Sequence, residues 1–581
     1  MNPTNSISLL ARIIILCALL LAQTALAGGR WVTLQHQPPE PTGTMLLLSD
    51  GTVMAQGGGG GHVSSSWYKL TPDSTGSYTN GLWTNRQSMY YSRLYFSSDV
   101  LPDGRVFIAG AEYGNGTTNA EIYDPVSDSW TFIPVPQGLI NTSNNVAANG
   151  ANSSGFLDSG SVVLSDGSVL ITPVGVLNAG EMVTYNPTAN TWASNFLYKA
   201  VNLDESTMVK LPDDSILVVN NPGYPPGEAV PQNITLAAQR YIPSKNHWIQ
   251  DGICPVQLYG TASEQGAAFL LPNGNAFFIG ASTNTAIYVP SGNKNPGNWI
   301  IGPNVPFALS APDAPAAMMC NGKILCALSP FTTNIVEQTT PTYFFEYDYT
   351  AGTNGTFTEV AGPDNSNFDN VDTYPCRMLD LPDGTVLFSD GNQSYIYIPD
   401  GVPLPAGKPT ILNISPNFDG SYHLTGTGLN GISQGASYGD DAQMDSNYPL
   451  IRVTTGNGNV YYARTYNWSS TGVQTGTNIV STEFKMPDAL AGGGTFSLVV
   501  VANGIASDPV IFIGSVWVDF TFGGPFYLGT YDLPYPSLSQ GMSAVPSNGD
   551  IFIKPGNTSE RMTISKAMTL HAVGGSVTVG R

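Results

Sequence analysis

Residues 100–109 read Val100-Leu101-Pro102-Asp103-Gly104-Arg105-Val106-Phe107-Ile108-Ala109, an apolar run that stops at Asp-Gly and starts again. Asp-Gly and Asn-Gly are the strongest short signals for a tight β-hairpin, because both central positions tolerate positive φ. The same figure returns at Asp50-Gly51, Asp166-Gly167, Asp213-Asp214, Asn273-Gly274, Asn321-Gly322 and Asp383-Gly384, at intervals of 47 to 63 residues. Seven hairpins at that period predict seven small antiparallel sheets, and so an all-β chain built on a seven-bladed β-propeller.

Each hairpin is followed by a third strand with an aromatic: Tyr68, Tyr123, Tyr185, Tyr241, Tyr288, Tyr347 and Tyr397. A turn then leads to a tryptophan strand. Trp130, Trp192 and Trp248 follow their tyrosines by seven residues, the first and fifth repeats stretch the spacing to Trp83 and Trp299, and the sixth uses Phe357. The seventh has no such partner, whereas Trp31 stands alone ahead of the first hairpin. The N-terminal strand is therefore expected to complete the seventh blade and leave no open sheet edge at the seam.

The chain has 581 residues, 42% of them hydrophobic, which predicts roughly two to four domains with cores of their own. Only 11% are charged, and the net charge of −21 argues against nucleic acid and against an anionic membrane. Such acidity fits the solvated surface of an exported protein. Residues 1–27 read as a signal peptide: Arg12, the apolar run 13–21 and the small-x-small site Ala25-Leu26-Ala27. The run is short for a transmembrane helix, and the mature chain is expected to have no membrane span and to be secreted or held at the cell surface. Of the five cysteines, Cys17 leaves with that peptide. Cys320 and Cys326 flank a hairpin whose register is expected to set Cys326 opposite Ala317, which disfavours a disulfide between them. With Cys254 and Cys376 they read as small buried strand residues.

Past residue 406 the period changes. Residues 407–513 alternate apolar and polar over short strands such as 422–425, 450–454, 461–465 and 496–501, the pattern of an immunoglobulin-like sandwich of the early-set type. Residues 514–581 carry strands about ten residues apart, at 551–554, 562–564, 568–572 and 577–579, and resemble the opening coils of a parallel β-helix, here truncated.

The hairpin, the glycines after its second strand (57–61 in the first repeat) and the Tyr/Trp strands resemble the kelch repeat. A kelch-type seven-bladed ring followed by an early-set domain resembles galactose oxidase and its copper-radical relatives, over about residues 31–513. Arg93-Leu94-Tyr95-Phe96-Ser97-Ser98 looks like the segment carrying that family's radical tyrosine, and Tyr374-Pro375-Cys376-Arg377 occupies the place of its axial Tyr-His. The resemblance implies a copper site with Tyr95 and Tyr374 as phenolate positions and Tyr113 at the place of the stacking tryptophan. The rest of the set departs from the pattern. Pro375 stands at the first ligand histidine, the stretch 468–474 expected to carry the second has none, and Pro41-Thr42-Gly43-Thr44-Met45 lacks the cross-linking cysteine. His36, His62, His247, His423 and His571 are the chain's five histidines, with Tyr422-His423 outside the matching context.

The leading expectation is a non-catalytic binding propeller that takes an extracellular ligand, carbohydrate or polysaccharide, on Tyr90, Tyr91, Tyr95, Tyr113 and Tyr374, with no cofactor required. One alternative is a copper-radical oxidase of primary alcohols such as galactose that releases peroxide. Another is a structural module of a surface assembly. Two oxygen-rich loops are calcium candidates: Asp364, Asp369 and Asp372 in one, and Asp440, Asp441 and Asp445 in the other.

Overall fold

The computed structural model describes residues 28–136, 139, 156, 159–172, 182–194, 206–219, 237–260, 264–333, 339–363, 368–438, 445–490 and 492–580. The leader expected at 1–27, and Asp364, Asp440 and Asp441, lie outside them. No helix among the described residues is long and apolar enough to cross a membrane.

Seven hairpins form at the seven expected turns, but by a different device from the one the dipeptides suggest. The loop has three residues. In the second repeat the Gly104 amide donates to Leu101 O and the Leu101 amide to Arg105 O, and the other six repeats reproduce this pair of bonds. Only the third loop residue takes positive φ, from +63° at Asp214 to +87° at Gly384. This is a type I turn followed by a left-handed residue, the second commonest hairpin connection. The Asp or Asn contributes its side chain: Oδ1 of Asp50, Asp103, Asp166, Asp213, Asn273, Asn321 and Asp383 accepts the amide two residues on. The extra loop residue shifts the register by one, so that Cys326 faces Ala316 and not Ala317. The four described cysteines are all free thiols.

Each hairpin continues into a four-stranded antiparallel blade, and the seven sheets make the ring. The aromatic pairs fall directly opposite one another: Tyr123 and Trp130, Tyr185 and Trp192, Tyr241 and Trp248, Tyr288 and Trp299, Tyr347 and Phe357. In the middle blades the phenol also ties down the turn between the strands, since Tyr123, Tyr185 and Tyr241 donate to Asp128, Asn190 and Asn246, all left-handed residues. The first blade departs from expectation. Trp83 faces Leu70, and Tyr68 faces Asn85. Its connection at 72–81 is long, so packing rather than a tight turn sets the register there.

The seam closes as expected. Arg30–Thr33 pairs with Ser394–Ile398, with Trp31 opposite Tyr397. The Trp31 ring meets Phe344, Phe388 and Tyr397 at 4.8 to 5.3 Å between centroids, and its indole N–H donates to Ala361 O at 2.6 Å. The Gly29 amide donates to the Tyr397 hydroxyl, which donates to the buried Glu346 carboxylate, itself paired with Lys323.

The seven hairpin loops lie on the face of the ring that meets the C-terminal sandwich: Arg464 donates to Asp103 O, Thr471 to Leu164 O and Gln474 to Leu271 O. That sandwich buries Tyr422, Leu424, Ile451, Val453, Phe484, Leu498, Val500 and Phe512 between two sheets that share the Val460–Tyr466 strand. In the tail, Val516–Val518, Gly549–Ile553 and Met568–Ala572 pair in parallel, as do Gly556–Thr558 and Val577–Val579, which is the incomplete β-helix that the spacing predicts. The strand expected at 562–564 is absent, because the chain there turns the corner between two rungs. A short helix, Leu538–Ala544, capped by Ser537, packs on the first rung.

The closure makes a direct prediction. Trp31→Ala removes one aromatic anchor of the seam and is expected to cost about 3 kcal/mol, whereas Trp83→Ala, on a partly exposed outer strand, costs less. Chemical denaturation of both variants checks this, and equal losses would contradict the closure.

Candidate functional site

The loops that the sandwich leaves uncovered gather around the other mouth of the channel. After the first hairpin the glycine run 57–61 folds over that mouth: the His62 amide donates to Gly58 O and the Gly59 amide to Pro41 O. Gly61 has φ +82° and no side chain, and a Cβ there would lie 3.2 Å from Tyr374 Cε2. The same point is 3.8 Å from the hydroxyls of both Tyr95 and Tyr374. The two phenols expected to share a site therefore converge over a bare stretch of backbone.

Tyr95 is a non-glycine residue held at φ +54°. Such a conformation costs roughly 1–3 kcal/mol and persists only where its surroundings impose it. Here the Glu112 amide donates to Tyr95 O at 2.9 Å, and the short Arg93–Leu94 strand pairs with Tyr113–Gly114. Arg93 anchors that segment from beneath. It is fully buried, paired with Glu121 at 2.9 Å, and donates to Gly110 O, Gly116 O and Asn119 O. Tyr113 meets Tyr95 edge to face at 6.3 Å, at the place that the resemblance assigns to a stacking aromatic.

Two members of the site come from residues that the sequence did not single out. Arg377, 3% exposed, donates to Tyr374 O at 2.6 Å and to Cys376 O at 2.7 Å, and its guanidinium lies 3.8 Å over the ring of Tyr438 and 5.9 Å from that of Tyr95. Tyr438 arrives from the sandwich. Residues 428–438 and 445–449 run into the channel, where Ala436–Ser437 pairs with the inner strand of blade six, and the Tyr438 hydroxyl donates to Tyr374 O at 2.8 Å. The stretch 468–474, expected to be the loop that reaches the site, instead packs on the hairpin face at Pro102, Val163 and Leu164. The loop that does enter the channel carries no histidine anywhere between residues 428 and 449.

Tyr90 and Tyr91 do not join this group. Their amides donate to Glu121, Tyr91 packs against Phe132 of the outer strand of blade two, and Tyr90 is 66% exposed. Asp369 is exposed, and Asp372 is half-buried, its carboxyl raised above the usual range by that burial. Asp445 is half-buried and accepts from Gln434. Among the described residues no three His, Cys, Asp or Glu side chains are grouped as a metal would need.

The donors around Tyr95 and Tyr374 do not fit copper, for which a tetragonal site wants imidazoles beside the phenolates. Pro375 packs on Gly391, where an added Cβ would lie 3.0 Å from the Pro375 Cβ. His62, exposed, follows Gly61 and is the one histidine beside the phenols. His423 is paired with Glu483 and His571 with Asp550 in the C-terminal units, His247 lies on the outer strand of blade four, and the carbonyl of His36 receives Trp83 at the rim.

No family model and no curated protein matches the chain. Among solved structures it is similar to one described as a novel fungal alcohol oxidase with catalytic diversity among the AA5 family, in complex with copper. That match has 15% identity and a TM-score of 0.47, and covers 84% of this chain and 99% of that one. It is also similar to a streptogramin B lyase structure, at 12% identity and a TM-score of 0.39 over 64% of this chain and 97% of that one. The seven-bladed arrangement stands on the chain's own sheets.

Arg377 joins both sides of the site. Arg377→Met is expected to cost about 2 kcal/mol through the lost charged hydrogen bonds and cation–π contact. Hydrogen exchange then shows amides 436–438 losing protection before the blade strands do; uniform loss across the ring would contradict a local role.

Proposed function

We propose that this chain is an exported, non-catalytic propeller that binds carbohydrate at the open mouth of its channel. The observation that carries the reading is the set of three half-buried tyrosines, Tyr95, Tyr113 and Tyr374, drawn together beside the half-buried backbone of Gly60 and Gly61 and held from beneath by Arg377 and the fully buried Tyr438. Aromatic faces stack on the apolar faces of sugar rings, while phenol hydroxyls and bare backbone groups serve ring hydroxyls, a combination of apolar walls and few oriented polar groups typical of ligand sites. Strain at Tyr95 and the locking of Arg377 hold these groups in place before a ligand arrives, which lowers the entropic cost of binding. The donor set supports binding over oxidation, since one imidazole and two phenols make an incomplete copper site.

The test is calorimetry of the mature chain with galactan, xylan and β-glucan fragments, alongside Tyr113→Ala and Tyr374→Ala. Binding by the parent and a loss of about tenfold or more in each variant, roughly 1.4 kcal/mol, is the expected result. In parallel the chain is loaded with Cu(II), freed of excess metal and given galactose. Stoichiometric copper with peroxide release would replace this reading with the oxidase. An absence of both sugar binding and peroxide would favour the structural-module alternative.

A further inference from the structure

A second concave surface lies where the sandwich meets the tail, in an open cleft of about 240 Å³ that shares no residue with the channel mouth. Tyr422, Met486 and Leu490 line it from the sandwich, and Trp517, Tyr531 and Leu533 from the tail. Two glycines in its walls show that the gap is built into the joint. Gly420 has φ +87°, and a Cβ there would lie 2.5 Å from the Tyr531 Cβ. Gly529 has φ +74°, and a Cβ there would lie 2.4 Å from Tyr535 Cε2. These loops approach so closely only because their backbone is bare. Tyr531 is held further by the Trp517 ring, edge to face at 4.9 Å, and by the Lys554 ammonium 4.2 Å over its own ring. Ser515 fixes the Tyr422 hydroxyl, through its hydroxyl at 2.7 Å and its amide at 2.8 Å. The walls therefore have a set shape before anything enters, which lowers the entropic cost of binding.

The rim has few charges, and they nearly cancel. Lys485 is the cleft's one cation among the described residues; it pairs with Asp532 at 2.8 Å, and Asp488 follows three residues later on the same wall. One ammonium against two carboxylates disfavours a phosphate, a sulfate or a polyanion. It suits a neutral polyol, since carboxylates accept from hydroxyls and an ammonium donates to them. The surface beside the rim is apolar. Phe526, Tyr527 and Leu528 follow one another at 73, 45 and 40% exposure and lead directly into Gly529. Phe418, 69% exposed, stands two residues before Gly420 on the sandwich side. Large side chains grouped in water beside a cleft mark a binding surface, and aromatic ones supply the faces on which sugar rings stack.

We propose that this cleft is a second carbohydrate site, taking about one or two rings of a neutral polysaccharide, with sugar hydroxyls on Lys485, Asp488 and Asp532 and an apolar ring face against the Phe526–Tyr527 turn. The site is built from the sandwich and the tail alone, so it stands whether or not the mouth binds sugar. Where both bind, one long chain engages the two sites together, and its affinity exceeds that of a short fragment.

Calorimetry with galactan, xylan and β-glucan fragments is run on the parent, on Tyr374→Ala, and on Tyr374→Ala that also carries Lys485→Ala and Asp488→Asn. Lys485 and Asp488 are exposed, so the fold tolerates both changes. The parent is expected to show two binding events, of which Tyr374→Ala loses the one at the mouth. The rim changes are expected to weaken the remaining event about tenfold or more, through lost charged hydrogen bonds, and Tyr527→Ala in the same background to weaken it as well. Loss of all binding in Tyr374→Ala overturns the proposal and leaves the mouth as the site. Remaining binding that the rim changes leave untouched overturns it too. Binding indifferent to Tyr374→Ala but lost with Lys485 and Asp488 upholds this site and retires the mouth, and no sugar binding by the parent retires both. Phosphatidylcholine vesicles test the exposed aromatics separately. Vesicle binding abolished by Phe526→Ser, in a chain that binds no sugar, would mean that the turn meets a lipid surface and would overturn the proposal.

Discussion

A ring of sheets has one seam, and everything else in this molecule depends on how that seam is held. Each blade but the last receives its outer strand from the chain that follows it. The last takes it from Arg30–Thr33, the first described strand. Trp31 seals the junction by packing among Phe344, Phe388 and Tyr397, and the Gly29–Tyr397–Glu346–Lys323 chain of bonds adds a polar clasp at the same place. An open seam would bare the Ser394–Ile398 edge of blade seven, and the channel mouth, which draws on blades one, two and seven, would lose its geometry.

The second constraint acts along the channel axis. The sandwich does more than cover the hairpin face, because it sends residues 428–438 and 445–449 into the ring. On the way Tyr448 stacks on Trp468 at 4.4 Å and donates to Leu47 O, Ser446 engages Asp380, and Ala436–Ser437 adds a strand to blade six. At the far end Tyr438 meets Arg377 and Tyr374. This connection therefore links the folding of the two units to the floor of the channel mouth, and mutations that loosen the sandwich are coupled to the mouth through it.

How much of this was legible in the residues follows from how local each signal is. The hairpins are short-range features written in Asp-Gly, Asn-Gly and, in the fourth repeat, Asp-Asp, so all seven could be placed, and Trp31 could be matched to the seventh blade because its pattern left one aromatic unpaired and one blade short. Registers were less secure. At Cys326 the three-residue loop moved the partner by one position, and at Trp83 a long connection moved it by two. Tyr95, Tyr113 and Tyr374 were identifiable from motif context, and the structure brings them together. Tyr90 and Tyr91 shared that context by adjacency alone and point elsewhere. Tyr438 could not be assigned, because its meaning lies in contacts with Tyr374 and Arg377 more than sixty residues away in the chain. Its neighbourhood, Tyr438-Gly439-Asp440-Asp441, reads as an acidic surface loop.

If ligand is held at the channel mouth by the converging tyrosines, each of them is shielded when it binds. Hydroxyl-radical footprinting of the mature chain with and without a saturating oligosaccharide tests this most directly, since it reads each tyrosine separately. Tyr95, Tyr113 and Tyr374 are expected to lose reactivity together when sugar is added, with Tyr90 unchanged. Protection confined to the sandwich or the tail, at Tyr461 or Tyr531 for example, would contradict it.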